Sequence, residues 1–422
     1  MRLSSIRVAV LAPLLAGGCF NATKAGTLDL RAGIGYDFIS QEFFLDSITR
    51  SGTDSLDFAL KTDYVDDLKG RVELTYSPFS DRRLELRPSY EQTADFLRLR
   101  LLNDFRTVLG TARFDLHSEL EWKNRYRDAG DASEDYLYGY IKSGFALPVT
   151  GPLTTQIQIT GEAVDFDSTT GFSYDHFRLG GKVGLTAAFE DFSGADFNLF
   201  ALARRVPDST ALDYLVGGAE AAFFGFWGPV ELDLSSRFER KDYNREPYQD
   251  DHYRLEFSGR DKLHLGRDFF FRQDTELDLT FYSSSDPVNR NYGRVGFAFL
   301  GGYERGVLSI SLGPEFEYLY EVEKDFPEGE DYWETGARIE LDLLSAAHFF
   351  GSVDNVIGYR DLKYDNALQS NFTFERLNLI GDLRIWQGLS VSALFSAEWE
   401  WHENQTENAA LFLLSSNLTY AF

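Results

Sequence analysis

The sequence predicts an all-β chain folded as a transmembrane, antiparallel, up-and-down β-barrel of about 20 strands, within a range of roughly 18–22. Three observations carry that prediction. Apolar and charged residues alternate with period two along almost the whole chain. The alternating segments run to about 10–15 residues, which suits tilted strands crossing a bilayer better than the five or six residues of an average soluble strand. The connections alternate between short and long over most of the chain, as short periplasmic turns and longer extracellular loops do.

Residues 1–25 are set aside first, because Arg2 and Arg7 precede a short apolar run from Val8 to Ala16 that is followed by small residues. This is the layout of a secretory signal peptide. Leu15-Ala16-Gly17-Gly18-Cys19 is similar to a bacterial lipoprotein processing box, with Ala16 where that box usually has Leu. Cys19 is therefore either discarded with the signal or acylated as the first residue. If it is discarded, no thiol remains in the exported chain, whose stability then comes from sources other than disulfides.

Each strand justifies itself by its two faces. Phe114, Leu116, Leu120 and Trp122 alternate with Arg113, Asp115, His117, Glu119 and Glu121; Val230, Leu232 and Leu234 alternate with Glu231, Asp233 and Ser235. Leu277, Leu279 and Phe281 alternate with Asp274, Glu276, Asp278 and Thr280, and Trp333, Ala337, Ile339, Leu341 and Leu343 alternate with Glu334, Arg338, Glu340 and Asp342. A soluble sandwich shares this alternation, so the tryptophans matter. Trp122, Trp333, Trp399 and Trp401 fall beside long loops, and Trp227 and Trp386 in short turns, where interfacial anchors belong.

Counting back from Phe422 gives about twenty regular strands over 54–422, the predicted barrel. Thr27 to Ile39 reads as a further strand, which makes the total odd, and Gln41 to Thr53 is a long connection on what should be the short-turn side. Residues 26–53 are thus either N-terminal strands or a periplasmic or lumenal segment.

The final strand, Ala410 to Phe422, places Phe412, Leu414, Leu418 and Tyr420 on one face, with Ser416 as an exception, and ends on Phe422. It resembles the terminal signal of Gram-negative outer-membrane β-barrel proteins. That resemblance implies an outer-membrane location, contact with outer-membrane lipids and lipopolysaccharide, and recognition of Tyr420 and Phe422 by the barrel assembly machinery. It identifies the barrel class and no family within it, and leaves the oligomeric state open. A TonB-dependent transporter fits poorly, since at most Gly26 to Thr53 is available for a plug.

A barrel of this size is too wide for strand side chains to fill. Its predicted inward face carries ions of both signs: Arg83, Glu85, Arg87, Arg98, Arg100 and Asp104 early, and Glu231, Asp233, Asp274, Glu276, Asp278, Glu340 and Asp342 later. In porins, which the chain is similar to, such ions select solutes by charge; equally, they pair along the wall and keep it hydrated. Tyr136, Tyr138 and Tyr140 share one face, offering either stacking surfaces to a solute or an external aromatic girdle. No cofactor is expected. Glu323, Asp325, Glu328 and Glu330 crowd one loop that could take Ca²⁺, though the spacing is not that of an EF-hand and a solvated acidic loop reads equally from it.

Composition excludes other classes. Among 422 residues there are 41 Lys plus Arg against 67 Asp plus Glu, a net charge of -26, which removal of residues 1–25 takes to about -29. No basic face for phosphates is visible, so nucleic acid is not a partner. The six His residues form no HExxH pattern and there is no GxSxG, so an enzyme is not expected. The expected function is a porin-like channel for passive diffusion of small hydrophilic solutes. An export conduit or surface-binding scaffold with a periplasmic partner is the alternative, and an outer-membrane enzyme the third reading.

Overall fold

The computed structural model describes residues 27–47, 57–77, 84–92, 96–125, 135–166, 175–189, 193–207, 209–244, 251–283, 291–321, 331–345, 349–363, 370–386, 388–404 and 408–421. The signal segment with Cys19, together with Arg83, Glu323, Asp325, Glu328, Glu330 and Phe422, lies outside the described residues. Twenty strands follow one another: β1 (Thr27–Ser47), β2 (Asp57–Ser77), β3 (Leu84–Gln92), β4 (Phe96–Leu109), β5 (Ala112–Arg125), β6 (Tyr136–Thr150), β7 (Leu153–Phe166), β8 (His176–Ala188), β9 (Gly194–Arg205) and β10 (Tyr214–Trp227). The second half comprises β11 (Val230–Tyr243), β12 (His252–Leu265), β13 (Phe269–Tyr282), β14 (Tyr292–Arg305), β15 (Leu308–Glu321), β16 (Tyr332–Ser345), β17 (Phe349–Leu362), β18 (Phe372–Trp386), β19 (Leu389–His402) and β20 (Ala409–Ala421). Every strand pairs antiparallel with its sequence neighbours, and β1 pairs with β20, so the sheet closes on itself and has no edge.

The count of twenty includes β1, so nineteen strands follow residue 54, one fewer than the alternation suggests. The stretch that made the total odd is the closing strand, and the connection from Ser47 to Asp57 falls on the long-loop rim. β1 and β2 are 21 residues each, longer than the 14 residues of most others. A 14-residue strand extends roughly 48 Å and, tilted by about 40°, rises some 36 Å, enough to cross an apolar band of about 25 Å with both ends in water.

Six short-turn connections carry a glycine with positive φ: Gly110, Gly151, Gly228, Gly266, Gly306 and Gly388. Left-handed backbone lets a chain reverse between two strands within a few residues, and glycine adopts it without a Cβ clash. On the opposite rim most connections are longer, the three residues between β3 and β4 excepted, and one carries a single 3₁₀ turn, Thr210–Leu212.

The outward face is apolar and exposed, with Leu179, Phe197, Leu312 and Ile357 among its residues. Two polar pairs on it bond each other, as lipid contact favours: Asn103 donates to Ser118 at 3.3 Å, and Asn355 to Glu375 at 2.9 Å. Trp122, Trp227, Trp333, Trp386 and Trp401 are exposed on this face near its two borders. Trp399 shares it, packed edge-on to Phe412 at 5.4 Å. Tyr420 is also outward and exposed.

β14 and β15 approach especially closely. A Cβ on Gly313 would overlap the Phe299 carbonyl oxygen, and beside it Pro314 has no N–H to give the ladder. Gly313→Ala is expected to destabilise the barrel by about 1–3 kcal/mol through overpacking. Gly301→Ala, with no atom near its Cβ, should be close to neutral. Urea midpoints in detergent would check this; equal midpoints for the two variants would show that the close approach carries no energy.

Candidate functional site on the inner wall

Residues directly opposite each other in an antiparallel pair share a face, so the register assigns each side chain to one surface. The charged surface is the concave one, because its side chains bridge strands that are not neighbours. Lys182 on β8 reaches Glu220 on β10 at 2.5 Å across β9. Arg376 on β18 reaches Glu334 on β16 at 2.7 Å across β17, and Arg272 on β13 reaches Glu340 on β16 at 2.7 Å across two strands. Such chords form only where curvature brings side chains together.

Beneath the ions lies a repeated aromatic base. Phe200, Phe270 and Phe374 each lie over a glycine of the adjacent strand, Gly218, Gly302 and Gly358 respectively, where a Cβ would collide with the ring. A cation covers the ring: Arg237 at 4.7 Å from Phe200, Lys262 at 4.3 Å from Phe270 and Arg376 at 4.2 Å from Phe374. The ring stiffens a strand pair that glycine would loosen, and its cation remains available to a carboxylate.

Arg87, Arg98 and Arg100 face inward and none stands alone. Arg87 hydrogen-bonds Asp104 and lies 3.4 Å from Glu85; Asp104 also contacts His117 at 2.7 Å. Arg98 sits between Glu91 at 3.4 Å and Glu121 at 3.2 Å, and Arg100 between Glu119 at 2.5 Å and Glu121 at 3.7 Å. Tyr136, Tyr138 and Tyr140 share this inward face, opposite Lys123, Glu121 and Glu119, so they do not belong to an external girdle. Tyr136 donates to Glu121 at 2.6 Å, and Tyr140 meets the His117 ring at 5.9 Å.

The later acids divide by what they hold. Asp278 accepts both arms of Arg254, at 2.8 and 3.1 Å; Asp274 takes Arg260 at 2.8 Å and Arg272 at 2.9 Å. Glu340 binds Arg272 and Arg338, the latter at 3.1 Å, and accepts from Ser311. Asp342 accepts from Ser352 at 2.7 Å, and Glu231 lies 3.7 Å from His264. Asp233 and Glu276 are inward, exposed and without an ion partner among the described residues. Between β7 and β14 the wall dips into a recess of about 770 Å³, lined among others by Gln158, Lys182, Asn198, Arg237, Ser258 and Glu276.

The long-loop rim has a device that period-two reading passes over. Asp175, Asp213, Asp251, Asn291, Asp331, Asn371 and Asn408 each accept the backbone N–H of the last or next residue of the preceding strand, at 2.6–2.8 Å. Each closes the base of a long loop, satisfying a backbone donor where the ladder ends. The next residue is inward and usually aromatic or His: His176, Tyr214, His252, Tyr292, Tyr332 and Phe372. The signal was present as an Asp/Asn-aromatic step recurring at intervals of roughly 40 residues, the length of one hairpin. Among the described residues, no group of three or more His, Cys, Asp or Glu side chains is placed to hold a metal ion.

Solved structures share the architecture. The chain aligns over 93% of its length with the alcaligin outer-membrane receptor FauA from Bordetella pertussis, at TM-score 0.54 and 10% identity, covering 76% of that chain. It aligns over 95% with the siderophore receptor PirA from Pseudomonas aeruginosa, at TM-score 0.51, 10% identity and 81% of that chain. It aligns over 94% with the outer membrane protein OpdK from the same organism, at TM-score 0.50 and 11% identity, covering 98% of that chain. No protein-family model and no curated protein matches the sequence. At such identities the likeness is one of fold, and the fold is that of a bacterial outer-membrane β-barrel.

Proposed function

We propose that the protein is a porin-like channel through which small hydrophilic solutes diffuse passively across the outer membrane. The observation that supports this best is the inner wall, whose ions of both signs pair with one another within the wall. A circle of 20 tilted strands has a circumference of roughly 125 Å and a radius near 20 Å, and side chains reach inward only about 7 Å. The wall alone leaves a wide, hydrated space, and mixed charge keeps water and solutes in it.

Conductance of the purified full chain in planar bilayers tests the proposal. Stable openings that scale with salt concentration are expected. A closed baseline, with current only when a periplasmic partner is added, would replace the passive channel with a gated export conduit.

A further inference from the structure

The recess between β7 and β14 is poised to hold a particular kind of solute, an inference that rests on the channel reading above. Its cations are already engaged. Arg254 holds Asp278 with both arms and Glu256 at 2.8 Å; Arg237 holds Glu239 at 2.8 Å and Glu220 at 3.0 Å; Lys182 holds the same Glu220. Arg294, two positions nearer the long-loop rim than Gly296, has the loosest partner, Glu317 at 4.0 Å. At Arg254 and Arg237 an anionic solute would have to displace a carboxylate already bound through two arms, which leaves Arg294 alone loosely held.

Glu276 is different. It is exposed in the recess, with no hydrogen bond or ion pair to any described residue. Its neighbour across β14 is Gly296 and across β12 is Ser258, so nothing bulky screens it on either side. Ser258 in turn shares a hydrogen bond with Ser235 at 2.7 Å, and the amides of Gln158 and Asn198 face the same space with no side-chain partner among the described residues. The groups open to a solute are therefore the Glu276 carboxylate, with Asp196, which accepts from Thr186 at 2.5 Å and has no ion pair among the described residues, together with hydroxyls and amides, and the volume suits a sugar-sized molecule.

We propose that this recess is a subsite for small, polyhydroxylated organic cations, amine-bearing sugars being the type, with Glu276 taking the ammonium group and the surrounding hydroxyls and amides taking the ring hydroxyls. A bare divalent metal ion is a poor occupant, since it calls for several clustered oxygen ligands and no three acidic side chains of the described residues converge there.

Three hexoses of nearly one shape and different charge test this: glucosamine, glucose and glucuronate, each titrated as a blocker of the current through the reconstituted full chain. Glucosamine is expected to bind about fivefold more tightly than glucose, the worth of one solvated ion pair, and glucuronate more weakly than either. Glu276→Gln should bring glucosamine down to the level of glucose. Asp382→Asn removes another exposed inward carboxylate outside the recess and should leave the preference intact.

Equal binding of glucosamine and glucose, strongest binding of glucuronate, or a Glu276→Gln variant that keeps the preference would each overturn the subsite. So would an equal loss in Asp382→Asn, which would assign the preference to the diffuse field of the lumen. If the protein passes no current, the channel reading fails separately. Calorimetric titration of the same sugars into the detergent-solubilised barrel then decides the subsite, with the fivefold preference surviving or absent.

Discussion

Glu334→Ala is expected to destabilise the barrel by about 3–5 kcal/mol, the largest loss of any single inner-wall substitution considered. Glu334 is 4% exposed, and its two oxygens serve two guanidinium groups. Arg360 donates to it at 2.6 and 2.9 Å, and Arg376 at 2.7 and 3.3 Å, while Arg376 also holds Glu398 at 2.8 Å. Both arginines are stacked on rings as well, Arg360 at 4.1 Å from Tyr332 and Arg376 at 4.2 Å from Phe374. The pocket that holds them is apolar at its base: Phe372, Phe374 and Val356 form a buried cluster.

Taking away the carboxylate leaves two cations part-buried on an aromatic floor with one anion between them, Glu398, which holds Arg376 and not Arg360. That is the unfavourable half of a buried ion pair, and it outweighs the modest net value of the intact pair. Glu334→Gln keeps the shape and one acceptor, so its cost should be smaller, about 1–3 kcal/mol. Glu334→Ala combined with Arg360→Met should recover part of the loss, because it removes one of the stranded charges. Urea unfolding in detergent micelles measures all three. If Glu334→Ala costs less than about 1 kcal/mol, the knot is solvated decoration and β16–β18 are held by the ladder alone.

Much of this wall was legible in the sequence, and the reason is geometric. A strand puts alternate residues on opposite faces whatever its neighbours do, so the inward set Arg87, Arg98, Arg100 and Asp104 follows from period two. The short turns were legible for a similar local reason, since Gly228, Gly266 and Gly306 mark the reversals. Period two says nothing about height or curvature, however. That Lys182 meets Glu220 across β9, or Arg272 meets Glu340 across two strands, depends on barrel closure, which no local pattern records. The recess is invisible for the same reason, because Ala222, Ser235, Ser258 and Gly296 make it by being small.

The status of β1 illustrates a second limit. Its pairing with β20 joins residues at opposite ends of the chain, Arg31 with Ala421 and Glu42 with Ala410, and local pattern cannot distinguish a closing strand from an appendage. The loop-base carboxylates and amides are a contrasting case. Asp213-Tyr214, Asp331-Tyr332 and Asn371-Phe372 were open to view as a repeat, and only the hydrogen bonds they make give the repeat a meaning.

Replacing Arg87, Arg98 and Arg100 together by serine is expected to move the channel several-fold toward cations, as measured by reversal potentials in a salt gradient. The side chains of Arg98 and Arg100 are 32% and 37% exposed, against 11% for both Glu119 and Glu121. The arginines thus stand between these carboxylates and the lumen. Without them, Glu119, Glu121 and Asp104 present uncompensated charge to passing ions at short range, well inside a Debye length of about 8–10 Å. Combining Arg87→Ser with Asp104→Asn, and Arg98→Ser and Arg100→Ser with Glu119→Gln and Glu121→Gln, should return the reversal potential to its wild-type value, since each change then removes a neutral pair. If the paired variants stay as cation-selective as the arginine variant, the arginines act as protruding charges in their own right and their partners are electrically silent. If the arginine variant matches wild type, β3 and β4 lie away from the conduction path and selectivity is set elsewhere on the wall.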